Sequence, residues 1–365
     1  MSARVLVVNA GSSSLKLRLL DGTDALVGSA DLTLETEFAE PTVRAAIDDL
    51  GPADAVGHRV VHGGRAYTEP VLVDDRVMAD LRQLVDLAPL HQPAALDALD
   101  LVRRCRPELP AVACFDTAFH AGLPAAASTY ALPRQWRDPL GVRRYGFHGL
   151  SHASAARRAA DLLGRPATGL RLVTCHLGAG ASLAAVQDGR SVDTTMGFTP
   201  LDGLVMATRA GALDPGLILW LERHAGVPAD VLEHELEHGS GLLGLAGTSD
   251  MREVVTRAAA GEEDAALALA VYLHRLRSLI GGMAAALDGL DALVFTGGVG
   301  EGSAEVRSRA ANGLGFLGIE VDPRLNDSVR GDGDISSGGA RVRTLVIAAR
   351  EDLEIARGVR DLLGR

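Results

Sequence analysis

Val5-Leu-Val-Val-Asn-Ala-Gly-Ser-Ser-Ser-Leu-Lys-Leu-Arg-Leu-Leu-Asp-Gly22 and Leu172-Val-Thr-Cys-His-Leu-Gly-Ala-Gly-Ala-Ser-Leu-Ala-Ala-Val-Gln-Asp-Gly189 share one layout. Each is an apolar strand, a tight turn rich in Gly and Ser or Ala, a second strand, and an Asp-Gly pair. Period-two apolar runs separated by such turns are the signature of a β-hairpin. The two stretches keep a constant offset of 167, which pairs Asn9 with His176, Gly11 with Gly178, and Asp21 with Asp188. A repeat at nearly half the chain length predicts two structurally related domains, each bringing a glycine-bearing hairpin turn to a common cleft. A third turn, Gly297-Gly-Val-Gly-Glu-Gly302, follows the apolar strand Ala292–Thr296 and leads into a helical stretch over 304–312. Strand, glycine-rich turn and helix start offer backbone N–H groups to phosphate or ribose.

Helical spacing predicts further helices over 76–88, 93–105, 152–163, 262–287 and 351–363, the fourth broken near Gly281-Gly282. Strands alternating with helices place the chain in the α/β class. The domains are expected at 1–149, joined by the tail helix 351–365, and at 150–350. Residues 331–339 read as a surface loop or hairpin tip.

The 365 residues suffice for two cores, built from Ala, Val and Leu because aromatics are only 4%. A net charge of -11 argues against nonspecific nucleic-acid binding. Three cysteines without metal-type spacing suit a reduced, cytoplasmic protein, and no apolar run reaches membrane-spanning length. Among 36 Lys+Arg residues, Lys16 is the single lysine, beside the first turn. There a compact ammonium would serve a polyphosphate better than a planar fork. None of the glycine turns has P-loop spacing. His234-Glu-Leu-Glu-His238 matches the zincin pattern, but its charged setting and the lack of a third ligand at a familiar spacing favour a helix end closing at Gly239.

Five loops carry His, Arg and Asp: Gly57-His-Arg-Val-Val-His-Gly-Gly64, Ala88-Pro-Leu-His-Gln-Pro93, Cys114-Phe-Asp-Thr-Ala-Phe-His120, Tyr145-Gly-Phe-His-Gly-Leu-Ser-His152 and Ala207-Thr-Arg-Ala-Gly-Ala-Leu-Asp-Pro215. Cations and imidazoles in loops suit phosphoryl transfer, which is mostly positioning plus stabilisation of spreading negative charge.

In this order, over nearly the whole chain, the segments resemble the acetokinase family. The resemblance implies two actin-like (ribonuclease H-like) domains flanking a nucleotide cleft. It implies reversible Mg²⁺-dependent transfer of the ATP γ-phosphoryl to acetate. It further implies Arg59, Asp116, His148 and Arg209 as catalytic residues, with Arg59, Val61, Leu90, Phe147 and Pro200 around acetate. ATP would be held by Lys16, by His176, Leu177, Gly178, Ala179 and Gly180, by Asp250, Met251 and Arg252, and by Gly297, Gly298, Val299, Gly300 and Glu301. Asn9 and Glu351 would serve Mg²⁺, with Mn²⁺ as a substitute. A homodimer is implied, with no nucleic-acid or membrane partner. The chain departs from the family pattern at Ala179, at the segment after Arg209, at Gly302, at Ala349-Arg350 and at Gln92. The competing readings are a propionate or butyrate kinase and, from another class, a non-catalytic nucleotide switch on the same fold.

Overall fold

The computed structural model describes residues 3–11, 14–33, 39–89 and 91–364, so Ser12, Ser13 and the expected pocket residue Leu90 lie outside the described residues. The chain forms two compact units. Met1–Ala121, Phe147–Ser154 and Arg350–Arg365 make the first; Gly122–Gly146 and Ala155–Ala349 make the second.

The first unit holds a six-stranded sheet of β1 (Val5–Ala10), β2 (Ser14–Leu20), β3 (Leu26–Thr33), β4 (Ala55–Val60), β5 (Val71–Leu72) and β6 (Ala111–Phe115), in the order β3-β2-β1-β4-β6-β5. The second unit holds β7 (Arg171–Leu177), β8 (Ala181–Gln187), β9 (Arg190–Thr194), β10 (Ala292–Thr296), β11 (Gly333–Asp334) and β12 (Arg343–Val346), in the order β11-β12-β10-β7-β8-β9. Each sheet is an antiparallel three-strand meander continued by two parallel strands and one short antiparallel edge. The same topology occurs twice. The fold is therefore two related α/β units of the actin-like type, and the repeat in the sequence is a repeat in structure.

The repeat is not residue-perfect. Asn9 pairs with Lys16 across the first hairpin, whereas His176 pairs with Ser182 across the second. The first turn is one residue longer, so the fixed offset of 167, which equates Lys16 with Leu183, fails beyond the turn. A fully buried hydroxyl, Ser182, faces His176 where the exposed Lys16 faces Asn9. The Asp188-Gly189 connection is a two-residue hairpin turn with φ of 54° and 75°, the left-handed pair that matches strand twist.

Period-two alternation sorts β1 onto two faces. Leu6 and Val8, with Leu15, Leu17 and Val56, pack against the helices Glu40–Leu50 and Gln92–Cys105. Val5 and Val7, with Val112 and Cys114, pack against Ile355, Ala356 and Val359 of the tail helix Glu351–Leu363. Each Val, Leu and Ile among them contributes about 1.5–3 kcal/mol on burial. Arg360 of that helix also donates to the carbonyls of Ala3 (3.1 Å) and Asp21 (2.6 Å).

Some helices differ from expectation. The helix Glu263–Ala286 runs unbroken through Gly281-Gly282, because Ile280, Met283 and Ala284 bury around them and outweigh about 1 kcal/mol of glycine cost apiece. The stretch 76–88 splits into Asp75–Arg82, capped by Asp74, and a 3₁₀ turn Val85–Leu87. Within 331–339, Gly333–Asp334 is the edge strand β11 rather than a free loop.

Candidate functional site

The parallel strands β1, β4 and β6 lie side by side, and a candidate site residue stands at, next to or just past the C-terminal end of each. Asn9 and Arg59 stand next to last in β1 and β4, and Asp116 follows β6. Ligands of open α/β sheets bind beyond these strand ends. Arg59 donates to both Asp116 oxygens from Nε (3.1 Å each) and to Oδ2 from Nη2 (2.6 Å). Its Nη1 donates to Asn9 Oδ1 at 3.3 Å. Asn9 Nδ2 donates to Glu351 Oε2 at 3.1 Å, and that carboxylate lies 3.7 Å from Arg59 Nε. Glu351 opens the tail helix, so its packing on the sheet sets the fourth member.

The charges do not balance: one guanidinium serves two carboxylates. Burial pushes the Asp116 carboxyl up, against the pull of Arg59, and the Glu351 charge pushes it further up. Burial alone would lower Arg59, but the charges of Asp116 and Glu351 outweigh it and hold the guanidinium above its ordinary value. Two carboxylates and an amide carbonyl are hard oxygen donors with a negative surplus, the donor set that suits Mg²⁺ with part of its water shell.

His148 is a non-glycine residue in the left-handed region, with φ of 56°. Such backbone persists only where neighbours hold it. Gly149 N donates to the Asp116 carbonyl at 2.8 Å, and a Cβ on Gly149 would come within 2.2 Å of that oxygen. The close approach requires glycine and ties the His148 segment to Asp116. Phe147 is buried, with its ring 5.6 Å from that of His62 and its carbonyl 3.1 Å from His120 Nε2. Val61 is also buried and opens the loop after β4. Gln92, fully buried, clamps that loop by accepting from His62 N and donating to His62 O, both at 3.0 Å. Thr117 Oγ1 accepts from Gly63 N at 3.1 Å.

In the second unit, Gly178, Ala179, Asp250, Met251, Arg252, Gly298 and Val299 line one cavity of about 580 Å³. Three turns that are distant in sequence meet there. His176 and Leu177 end β7, and Leu177 is fully buried. Glu301 is engaged within the protein: its carboxylate accepts from Gly297 N (2.9 Å) and Ala349 N (3.0 Å). Pro200 is buried in this unit, whereas Val61 and Phe147 belong to the first. Arg209 belongs here too, paired with Glu237 at 2.8 Å.

Sequence reading missed several supports. Tyr272 and Ser303 line the cavity, and the buried Tyr272 hydroxyl has no hydrogen-bond partner among the described residues. Buried Arg307 donates to the carbonyls of Gly300 (2.9 Å) and Glu301 (2.6 Å), fixing the third turn. An arginine on an alanine-containing helix face gave no signal of this.

The family model described as the acetokinase family matches residues 37–357. The chain is 46% identical over 400 residues to the acetate kinase of Synechococcus sp., covering 98% of this chain and 99% of that one. Among solved structures, it superposes on Porphyromonas gingivalis acetate kinase with TM-score 0.90 at 34% identity, covering 99% of this chain and all of that one. It is as similar to a propionate kinase from Francisella tularensis, with TM-score 0.90 at 35% identity, covering 98% and 99%.

Proposed function

The chain belongs to the acetokinase family, and from that footing we propose that it transfers the γ-phosphoryl of ATP reversibly to acetate, giving acetyl phosphate and ADP. It is a phosphotransferase with a carboxyl group as acceptor. The observation that supports the chemistry best is the Asn9–Arg59–Asp116–Glu351 cluster at the strand ends.

Acetate is ionised near neutral pH, since an ordinary carboxyl titrates near 4, so the reaction needs no general base. The obstacle is bringing a carboxylate against a polyanion. Arg59 and Arg209 offset that repulsion, and His148 donates to an equatorial oxygen of the transferring group. Asp116, Glu351 and Asn9 would hold Mg²⁺, largely through its water shell; the ion supplies charge neutralisation on the phosphates when bound. Lys16 reaches the phosphates as a point charge, while the turns 176–180, 250–252 and 297–301 hold the nucleotide.

Of the residues that the resemblance assigns to acetate, Val61 and Phe147 would meet its methyl group within the first unit, with Val61 as the size gate. One methylene in such a pocket is worth about 1–3 kcal/mol, so propionate should be a slower substrate and butyrate slower still. Hydroxamate trapping of the acyl phosphates tests both the function and the propionate alternative. Acetate is expected to give the highest kcat/KM, and Val61→Ala is expected to raise propionate relative to acetate by about tenfold. A wild-type preference for propionate would transfer the chain to the alternative reading, and no turnover with any acid would favour the switch.

The enzyme is proposed to be a cytoplasmic homodimer. All three cysteines are buried and free, as suits a reducing compartment, and among the described residues no helix is long and apolar enough to cross a membrane. The helix Pro215–Arg223 buries none of its residues: Leu217, Leu219 and Trp220 are 42%, 50% and 54% exposed. Its Ile218 borders an apolar groove of about 330 Å³ that also takes in Leu213, Phe198 and Leu236. A ridge beside a groove on one surface can satisfy itself in a twofold pair, and an apolar surface of this kind marks an interface. Light scattering is expected to give a dimer mass for the wild type and a monomer mass for Leu217→Glu/Trp220→Glu. A monomeric wild type at micromolar concentration would overturn the assignment.

A further inference from the structure

The His234-Glu-Leu-Glu-His238 segment has no part in the proposed chemistry as a metal motif, yet one of its carboxylates touches a residue that does. The helix Ala229–His234 passes into a single π-helical turn, Glu235–Gly239, and Glu237 of that turn accepts from Arg209 Nε at 2.8 Å. Both side chains are only 13% exposed. Exposed ion pairs contribute little, but a pair withdrawn from water and held at both ends fixes a geometry.

Both ends are held. Thr208 Oγ1 donates to the Glu237 carbonyl at 2.7 Å, and Ser240 N donates to the Thr208 carbonyl at 2.9 Å. Leu242 N and Leu243 N donate to the carbonyls of Met206 and Ala207, each at 3.0 Å. Gly241 has φ of 63°, and a Cβ there would lie 2.3 Å from the Met206 carbonyl and 2.8 Å from Arg209 N and O. The segment 237–243 is therefore zippered to the segment 206–209, and the Glu237 carboxylate reaches Arg209 from a backbone that is itself fixed to the Arg209 loop.

We propose that Glu237 is the positioning residue for Arg209 in phosphoryl transfer, which rests on the reading of Arg209 as a transition-state stabiliser. A free arginine side chain carries about 2 kcal/mol of rotamer entropy. Engagement at Nε fixes the plane of the guanidinium before the reaction. Charge aimed in advance costs no reorganisation when the phosphoryl group passes.

The test is a double-mutant cycle in steady-state kinetics. Arg209→Ala is expected to lower kcat by about 10²–10³-fold. Glu237→Ala is expected to lower kcat by about tenfold to hundredfold, with KM for ATP and acetate within about twofold. Glu237→Gln, nearly isosteric and still an acceptor, is expected to recover most of that loss; Glu237→Met, of similar length but without an oxygen acceptor, is expected to show it and carries the test if the alanine variant does not fold. In the Arg209→Ala background, Glu237→Ala is expected to cost nothing further. A near-normal Arg209→Ala would overturn the reading of Arg209 itself. A collapsed Arg209→Ala alongside a normal Glu237→Ala, or losses that multiply in the double mutant, would overturn the role of Glu237 alone.

Discussion

Arg59→Ala is expected to lower kcat/KM for acetate by about 10²–10³-fold and to destabilise the first unit by about 3–5 kcal/mol. The two effects share one cause. Arg59 is the only cation in contact with both Asp116 and Glu351 among the described residues. Without it, the buried Asp116 carboxylate keeps a like charge nearby and loses the guanidinium that opposes its desolvation. Arg59→Lys should restore little, because an ammonium cannot span both oxygens of Asp116 as Nε and Nη2 do. Arg59→Ala/Asp116→Asn should regain stability without regaining turnover, since the stranded charge is gone and the clamp is still missing. Steady-state kinetics with thermal melts separate the two readouts; a lysine variant with wild-type kcat/KM would show that the forked geometry is not needed.

The second large effect is on acid stability. His58, His62 and His120 are buried in the first unit, and burial lowers their pKa values from 6.5 to about 3, about 4 and about 4. The unfolded chain binds these protons near 6.5, whereas the folded chain refuses them until well below 5. Stability from these groups is therefore fully present above pH 6.5 and lost as pH falls from there toward 4. Each site loses up to about 1.4 kcal/mol per pH unit, so the three together lose up to about 4 kcal/mol per unit. Hydrogen exchange of the β4 and β6 amides at pH 7.5 and 5.5, corrected for intrinsic rates, should show this fall in opening free energy. His58→Leu should reduce the slope by about a third, because it removes one of the three sites, and its Nε2 has no hydrogen-bond partner to lose among the described residues. An opening free energy unchanged between the two pH values would show that protonated histidines are accommodated.

The duplicated hairpins were legible because turn chemistry and period-two apolarity are local, and Asp188-Gly189 occupies the left-handed turn that its residues favour. The edge strands β5 and β11 were not, since two residues carry no period. The slip from Leu183 to Ser182 escaped because a one-residue difference between turns leaves both flanking patterns intact. At the site, the candidate residues were legible through motif resemblance, not through their contacts. Arg59 and Asp116 are 57 positions apart and meet because β4 and β6 are parallel neighbours. Glu237 stood in a motif that suggested zinc, and only the docking of 237–243 on 206–209 reveals its partner. Gln92 registered as a departure at one position; its clamp on both polar groups of His62 is a property of the folded loop.

The tail helix sets an order of events in biosynthesis. Val5, Val7, Ala55, Val112 and Cys114 form one face of the first sheet, and Ile355, Ala356 and Val359 are what cover it. At ribosomal speeds of about 5–20 residues per second, those covering residues are made on the order of ten seconds or more after β6. Through that interval the nascent first unit has its sheet hydrogen-bonded but one apolar face open to water. The second unit, whose strands and helices lie between, can mature on its own in the meantime. The first half of the polypeptide is thus the last to be finished, and during translation it is the half that a chaperone would meet.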